Sequence, residues 1–130
     1  MTQKSRRWKL KKILLVDDEP ELRTAVKIRL EVEGYKVIPA SNGRECLELA
    51  RSENPDLIIL DLMMPVMDGY TALRRLKEDP ELSHIPVIIL SIKEKIKMEG
   101  LFISDLVEDY VEKPFETEEL LTKIRAVLGE

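Results

Sequence analysis

Three unbroken apolar runs, Ile13-Leu14-Leu15-Val16, Leu57-Ile58-Ile59-Leu60 and Val87-Ile88-Ile89-Leu90, constrain the fold of this chain more than any other feature. None of them alternates apolar with polar residues, so each predicts a strand covered on both faces, as in a parallel sheet. Amphipathic stretches separate them. Leu22, Ala25, Val26 and Leu30 recur at helical spacing until Gly34 stops the helix. Tyr35–Pro39 reads as a second strand, and Asn42 with Glu45 three residues on predicts an N-capped helix that buries Cys46, Leu49 and Ala50. A third helix follows Asp68-Gly69, uses Tyr70, Leu73 and Leu76, and ends near Asp79-Pro80. A less regular helical segment covers roughly Lys95 to Leu106, Asp109–Glu112 is a weak fifth strand, and a last helix shows Leu120, Ile124, Val127 and Leu128 on one face. Five strands alternating with five helices predict a three-layer α/β domain, because parallel strands need crossovers and those are right-handed.

Composition bounds what such a domain does. With 130 residues, 44% hydrophobic and 35% charged, the chain has material for one real core. One cysteine, Cys46, excludes an internal disulfide framework and a cysteine-rich zinc site, and suits a reducing compartment. The net charge of −4 conceals an uneven distribution: residues 1–12 hold six of the 21 bases and no acid, leaving 15 bases against 25 acids in the rest. So acidic a body argues against direct nucleic-acid binding. The basic start is no secretory signal, because the apolar run behind it gives way after four residues to Asp17-Asp18-Glu19, and no stretch reaches membrane-spanning length. A cytoplasmic location is expected. Residues 1–12 are expected to be a flexible leader, in which Trp8 is the feature suited to docking.

Parallel α/β sheets bind ligands at the carboxyl ends of their strands. Here Asp17-Asp18 follow the first strand, Asp61 the third, Ser91 the fourth and Lys113 the fifth. Each alone would be an ordinary turn, cap or solvated residue. Together they gather three carboxylates, a hydroxyl and an ammonium on one edge. Converging carboxylates repel unless a cation sits among them, and an all-oxygen donor set predicts Mg²⁺, with Mn²⁺ as the alternative. Such an ion suits phosphoryl chemistry, and Asp61, central among the strand ends, is the candidate nucleophile for an aspartyl phosphate.

Three blocks resemble the receiver (response regulatory) domain of two-component signalling: Ile13-Leu-Leu-Val-Asp-Asp-Glu-Pro20, Pro55-Asp-Leu-Ile-Ile-Leu-Asp61-Leu-Met-Met-Pro-Val-Met-Asp-Gly69, and Asp109-Tyr-Val-Glu-Lys113-Pro-Phe115. The resemblance extends over residues 13 to about 128. It implies a flavodoxin-like sandwich with strand order 2-1-3-4-5, Asp61 as phosphoacceptor, and Asp17, Asp18, Asp61 and the Met63 backbone carbonyl as metal ligands. It further implies that Lys113 and Ser91 bind the phosphoryl group, that Ser91 and Tyr110 switch, and that the Lys113-Pro114 bond is cis. Pro65 fixes φ in the loop after Asp61, and Gly69 is expected at a positive φ. The implied partners are a sensor histidine kinase or phosphotransfer protein, and an output partner on the face of the fourth helix, fifth strand and fifth helix. A monomer or a phosphorylation-dependent dimer is expected.

Two features depart from the family pattern. Ile92 stands where a small residue is usual and is expected to restrict access to the site; Leu106-Val107 replace the usual Gly-Ala before the fifth strand, so a short or displaced fourth helix is expected over Lys93–Phe102. The expected activity is that of a switch without a turnover substrate. An aspartyl-phosphate hydrolase would need a second Asp beside the nucleophile, which Asp61-Leu-Met63 lacks, and a receiver-like module independent of phosphate would not keep all five polar positions. The chain ends at Glu130, just past the last helix, which is compatible with a single-domain regulator or with an excised receiver.

Overall fold

The computed structural model describes residues 10–130, apart from the side chains at 100–102. Five strands, β1 (Lys12–Val16), β2 (Lys36–Ala40), β3 (Leu57–Leu60), β4 (Val87–Ile92) and β5 (Asp109–Lys113), form one parallel sheet in the order β2-β1-β3-β4-β5. Five helices, α1 (Pro20–Val32), α2 (Gly43–Glu53), α3 (Gly69–Glu78), α4 (Lys93–Ile103) and α5 (Thr117–Leu128), complete the expected order, with one 3₁₀ turn at Ser104–Leu106. Residues of the leader before Leu10 lie outside the described part. The strand begins one residue earlier than expected, with Lys12 paired to Lys36 and its N–H donated to Asp56.

Pleating distributes each apolar run between two cores. Leu14, Val16, Ile58, Leu60, Val87 and Ile89 pack with α2, α3 and Ile103; Ile13, Leu15, Leu57, Ile59, Ile88 and Leu90 pack with α1 and α5. That explains why the runs show no alternation: both faces of the sheet are dry. Leu121, which the helical reading of the last segment passed over, is as buried as Leu120 and Ile124. No described helix is long and apolar enough to cross a membrane.

Two expectations fail in detail. The segment after β4 is a regular helix of 11 residues that starts directly at Lys93, and its irregularity is confined to the 3₁₀ turn before β5, where Leu106 and Val107 pack against the core. Gly69 is not at a positive φ; the positive φ near the site belongs to Val66, at 68°. Gly69 is required for a different reason. A Cβ there would lie 1.9 Å from the Asp61 carbonyl oxygen and 2.8 Å from Leu62 Cα, so α3 begins in direct backbone contact with the end of β3.

Val66 sits at the centre of a three-residue turn in which the Met67 N–H donates to the Pro65 carbonyl at 2.8 Å. A β-branched residue in this region is strained, at roughly 1–3 kcal/mol, and Val66 is 73% exposed, so its side chain returns little by burial. Val66→Gly is therefore expected to stabilise the fold by about 1 kcal/mol in chemical denaturation. A loss of stability would contradict this reading of the turn.

Candidate functional site

The sheet holds Asp17 and Asp61 in place through their backbones. Asp17 N–H donates to the Ala40 carbonyl and Asp61 N–H to the Val16 carbonyl, both at 3.0 Å, so each residue continues the ladder one step beyond its strand. Ser91 lies within β4, which runs two residues past its apolar run to Ile92, and Lys113 ends β5 one residue later than expected. Staggered strand ends thus bring side chains from β1, β3, β4 and β5 together.

Asp61, 4% exposed, is held by both oxygens. Its Oδ1 accepts the Met63 N–H at 3.0 Å and the Ser91 hydroxyl at 2.9 Å, while Oδ2 accepts from Lys113 Nζ at 3.0 Å. Asp17 is fully buried; its Oδ1 accepts the Glu19 N–H at 2.9 Å. Its Oδ2 stands 2.8 Å from Lys113 Nζ as an ion pair, without an aligned hydrogen bond. Lys113 also donates to Glu19 Oε1 at 2.8 Å. Asp18 is exposed beside the cluster.

Electrostatics follow from one ammonium shared by three carboxylates. Burial pushes the Asp17 carboxyl above its ordinary 3.8, and the contacts from Lys113 and Glu19 N–H only partly offset it. Burial also works against the charge of Lys113, but Asp17, Glu19 and Asp61 outweigh it and hold the ammonium firmly protonated. The two shifts differ in sign relative to charge because Lys113 has three partners and Asp17 has a share of one. Asp17, Asp18 and Asp61 each offer an oxygen within 4.8 Å of the others. A hard divalent cation fits this donor set, because the single Lys113 ammonium only partly neutralises the carboxylates gathered there.

Residues 13–125 match the family model for the response regulator receiver domain. The chain belongs to that family. Among curated relatives, the receiver domain is 44% identical to the probable transcriptional regulator ycf27 of Porphyra purpurea over 90% of its own length and 47% of the relative's. It is 40% identical to the sensor histidine kinase TmoS of Ectopseudomonas mendocina, covering 91% of this chain and 12% of that one. It therefore spans about half of the first relative and a small part of the second. Among solved structures, the response regulator TrrA from Thermotoga maritima, in complex with Mg²⁺ and BeF, has a TM-score of 0.82 and 34% identity, covering 92% of this chain and all of that one. The chain is a receiver domain of two-component systems, with the doubly wound fold of that family.

The receiver domain's structure brings together Asp17, Asp18, Asp61, Ser91 and Lys113, and Asp18, Asp61, Ser91 and Lys113 line a cavity of about 260 Å³ with Met63 and Ile92. Ile92 is 39% exposed. The Lys113-Pro114 bond is cis. Tyr110, on β5, is partly buried against the core formed with α2, α3 and Ile103. Three contributors escaped sequence reading: Glu19 as a third partner of Lys113, Gly69 as the close-approach residue, and Arg23, whose guanidinium donates to the Asp17 carbonyl. Glu19 lies 94 residues from Lys113 in sequence, and no local pattern announces that pair. Cys46 is buried, its thiol pushed up to about 12 by desolvation, and takes no part.

Proposed function

We propose that this receiver domain is a phosphorylation switch in which Asp61 accepts a phosphoryl group from a histidine kinase or phosphotransfer protein. The observation that carries the reading is the setting of Asp61: a buried carboxylate held by a hydroxyl, a backbone N–H and an ammonium, beside two further acids. An Asp61 oxygen attacks phosphorus, the bond between phosphorus and the donor's histidine nitrogen breaks, and that nitrogen keeps the electron pair and takes up a proton. Asp17, Asp18, Asp61 and the Met63 carbonyl would hold Mg²⁺, or Mn²⁺, which supplies positive charge against that of the transferring group. Lys113 and the Ser91 hydroxyl are within reach of the oxygens of a group on Asp61, and their backbones are fixed by the β4–β5 pairing of Ser91 with Glu112 and Ile92 with Lys113.

Hydrolysis of the acyl phosphate returns the domain to its first state, so the protein has itself as sole substrate. The modification adds a dianion where one ammonium already serves three carboxylates, and the resulting demand on Lys113 and Ser91 biases Tyr110 and α4 toward a second arrangement. A nearly complete change of state needs differential interactions worth about 5 kcal/mol. The output surface is the α4–β5–α5 face, where Met98 is 68% exposed on α4 and Tyr110 is partly exposed on β5. Incubation with small phosphate monoesters and Mg²⁺ separates switch from hydrolase. No sustained release of phosphate is expected, and steady turnover would overturn the proposal.

Mg²⁺ is expected to raise the thermal midpoint, by the equivalent of about 2.7 kcal/mol at roughly 100 times its dissociation constant. The folded state holds the Asp17 proton more tightly than the unfolded chain does, so the contribution of Asp17 to the stability of the metal-free fold is fully present below the ordinary 3.8 and is lost as pH rises through the raised value. The Mg²⁺ increment should therefore grow as pH rises and Asp17 gives up its proton, and shrink as Asp17 protonates. Calorimetric scans with Mg²⁺ and with EDTA across this range check it; an increment that is constant with pH would contradict it.

A further inference from the structure

Glu19 occupies the N-cap position of α1, yet its side chain makes no capping hydrogen bond and instead reaches Lys113 Nζ at 2.8 Å. Residues at this position ordinarily satisfy a free N–H of the first turn. Its carboxylate also differs from the other two on Lys113. Asp17 and Asp61 are buried, whereas the Glu19 side chain is 57% exposed. Glu19, Ile92 and Lys113 together form the partition between the cavity around Asp61 and a neighbouring apolar cavity of about 460 Å³ lined by Leu22, Val26 and Phe115.

A phosphoryl group on Asp61 adds anionic oxygens that need the Lys113 ammonium. Asp17 cannot leave, because it is buried and bonded to the Glu19 N–H. Glu19 can turn to water at little cost. Its contact with Lys113 therefore belongs to the unmodified state, and a contact made in one state and surrendered in the other shifts the equilibrium between them. Resting on the phosphoacceptor reading, we infer that Glu19 competes with the phosphoryl group for Lys113 and so weakens the affinity of the site for that group. It is a positioning residue, acting through Lys113, that sets how readily the domain is loaded.

Calorimetric titration of beryllofluoride into Mg²⁺-saturated protein tests this, with saturation established for each variant by a separate Mg²⁺ titration. Glu19→Gln keeps size and removes the charge; Glu21→Gln makes the same charge change on an exposed α1 residue that does not touch Lys113. Glu19→Gln is expected to bind about fivefold more tightly than wild type, in line with a partly exposed ion pair, and Glu21→Gln to match wild type. Raising the salt concentration should narrow the gap between wild type and Glu19→Gln, a response that a merely structural role would not give. If wild type takes up no beryllofluoride, the phosphoacceptor reading falls and this inference with it. If wild type binds but Glu19→Gln shows no gain, or Glu21→Gln gains equally, this inference alone is overturned.

Discussion

Asp61→Asn is expected to abolish incorporation of phosphoryl group from phosphoramidate in the presence of Mg²⁺, with the loss complete within the detection limit of intact-protein mass spectrometry. The amide oxygen can still accept the Met63 N–H and the Ser91 hydroxyl, so the local fold persists. What it loses is the nucleophilic carboxylate and one metal ligand. Replacing the carboxylate also removes one of the three acids that share Lys113, which offsets the lost ion pair, and stability should stay within about 1 kcal/mol of wild type. That combination distinguishes a chemical role from a structural one. Asp61→Asn protein that still takes up phosphoryl group would move the acceptor elsewhere.

Gly69→Ala carries the largest expected stability effect. The added Cβ meets the Asp61 carbonyl oxygen at 1.9 Å, and the obstacle is backbone on both sides, so no side-chain rotation relieves it. Either α3 shifts away from β3 or the end of β3 moves, and the Leu62 carbonyl loses the Gly69 N–H that donates to it at 3.1 Å. Overpacking against backbone costs about 3 kcal/mol, or roughly 10 °C in the thermal midpoint of a domain of this size. Because the contact is with Asp61 itself, phosphoryl incorporation should fall together with stability. An alanine variant that melts like wild type would mean the β3–α3 junction is looser than described.

Much of the architecture is readable from the chain because its strands are buried on both faces. The runs Ile13–Val16, Leu57–Leu60 and Val87–Leu90 have no alternative in a helix of useful length, and their burial in two cores follows from pleating alone. Asn42 and Asp68 accept from Glu45 N–H and Thr71 N–H, so both helix starts follow from local side-chain chemistry. Strand ends were less legible. Ser91 and Lys113 extend β4 and β5 because neighbouring strands supply partners there, which periodicity within one segment does not reveal.

The loop after Asp61 departs from local preference for a related reason. Glycine tolerates a positive φ, but the turn geometry puts that conformation on Val66, and Gly69 answers to the nearness of the backbone at the end of β3. Tertiary proximity, not local preference, decides the residue. The same holds for Glu19, whose partner is on β5. The fourth helix was expected to be distorted from Leu106-Val107, yet those side chains pack against the core and leave the distortion to one 3₁₀ turn.

The central claim is that Asp61 is the acceptor, and trapping the modified residue tests it most directly. Wild-type protein loaded from phosphoramidate with Mg²⁺, reduced with borohydride and digested, should show a single converted aspartate at position 61, with the modification lost on mild base treatment before reduction. A base-stable modification, or conversion at Asp17, Asp18 or any other carboxylate with Asp61 intact, would contradict the account.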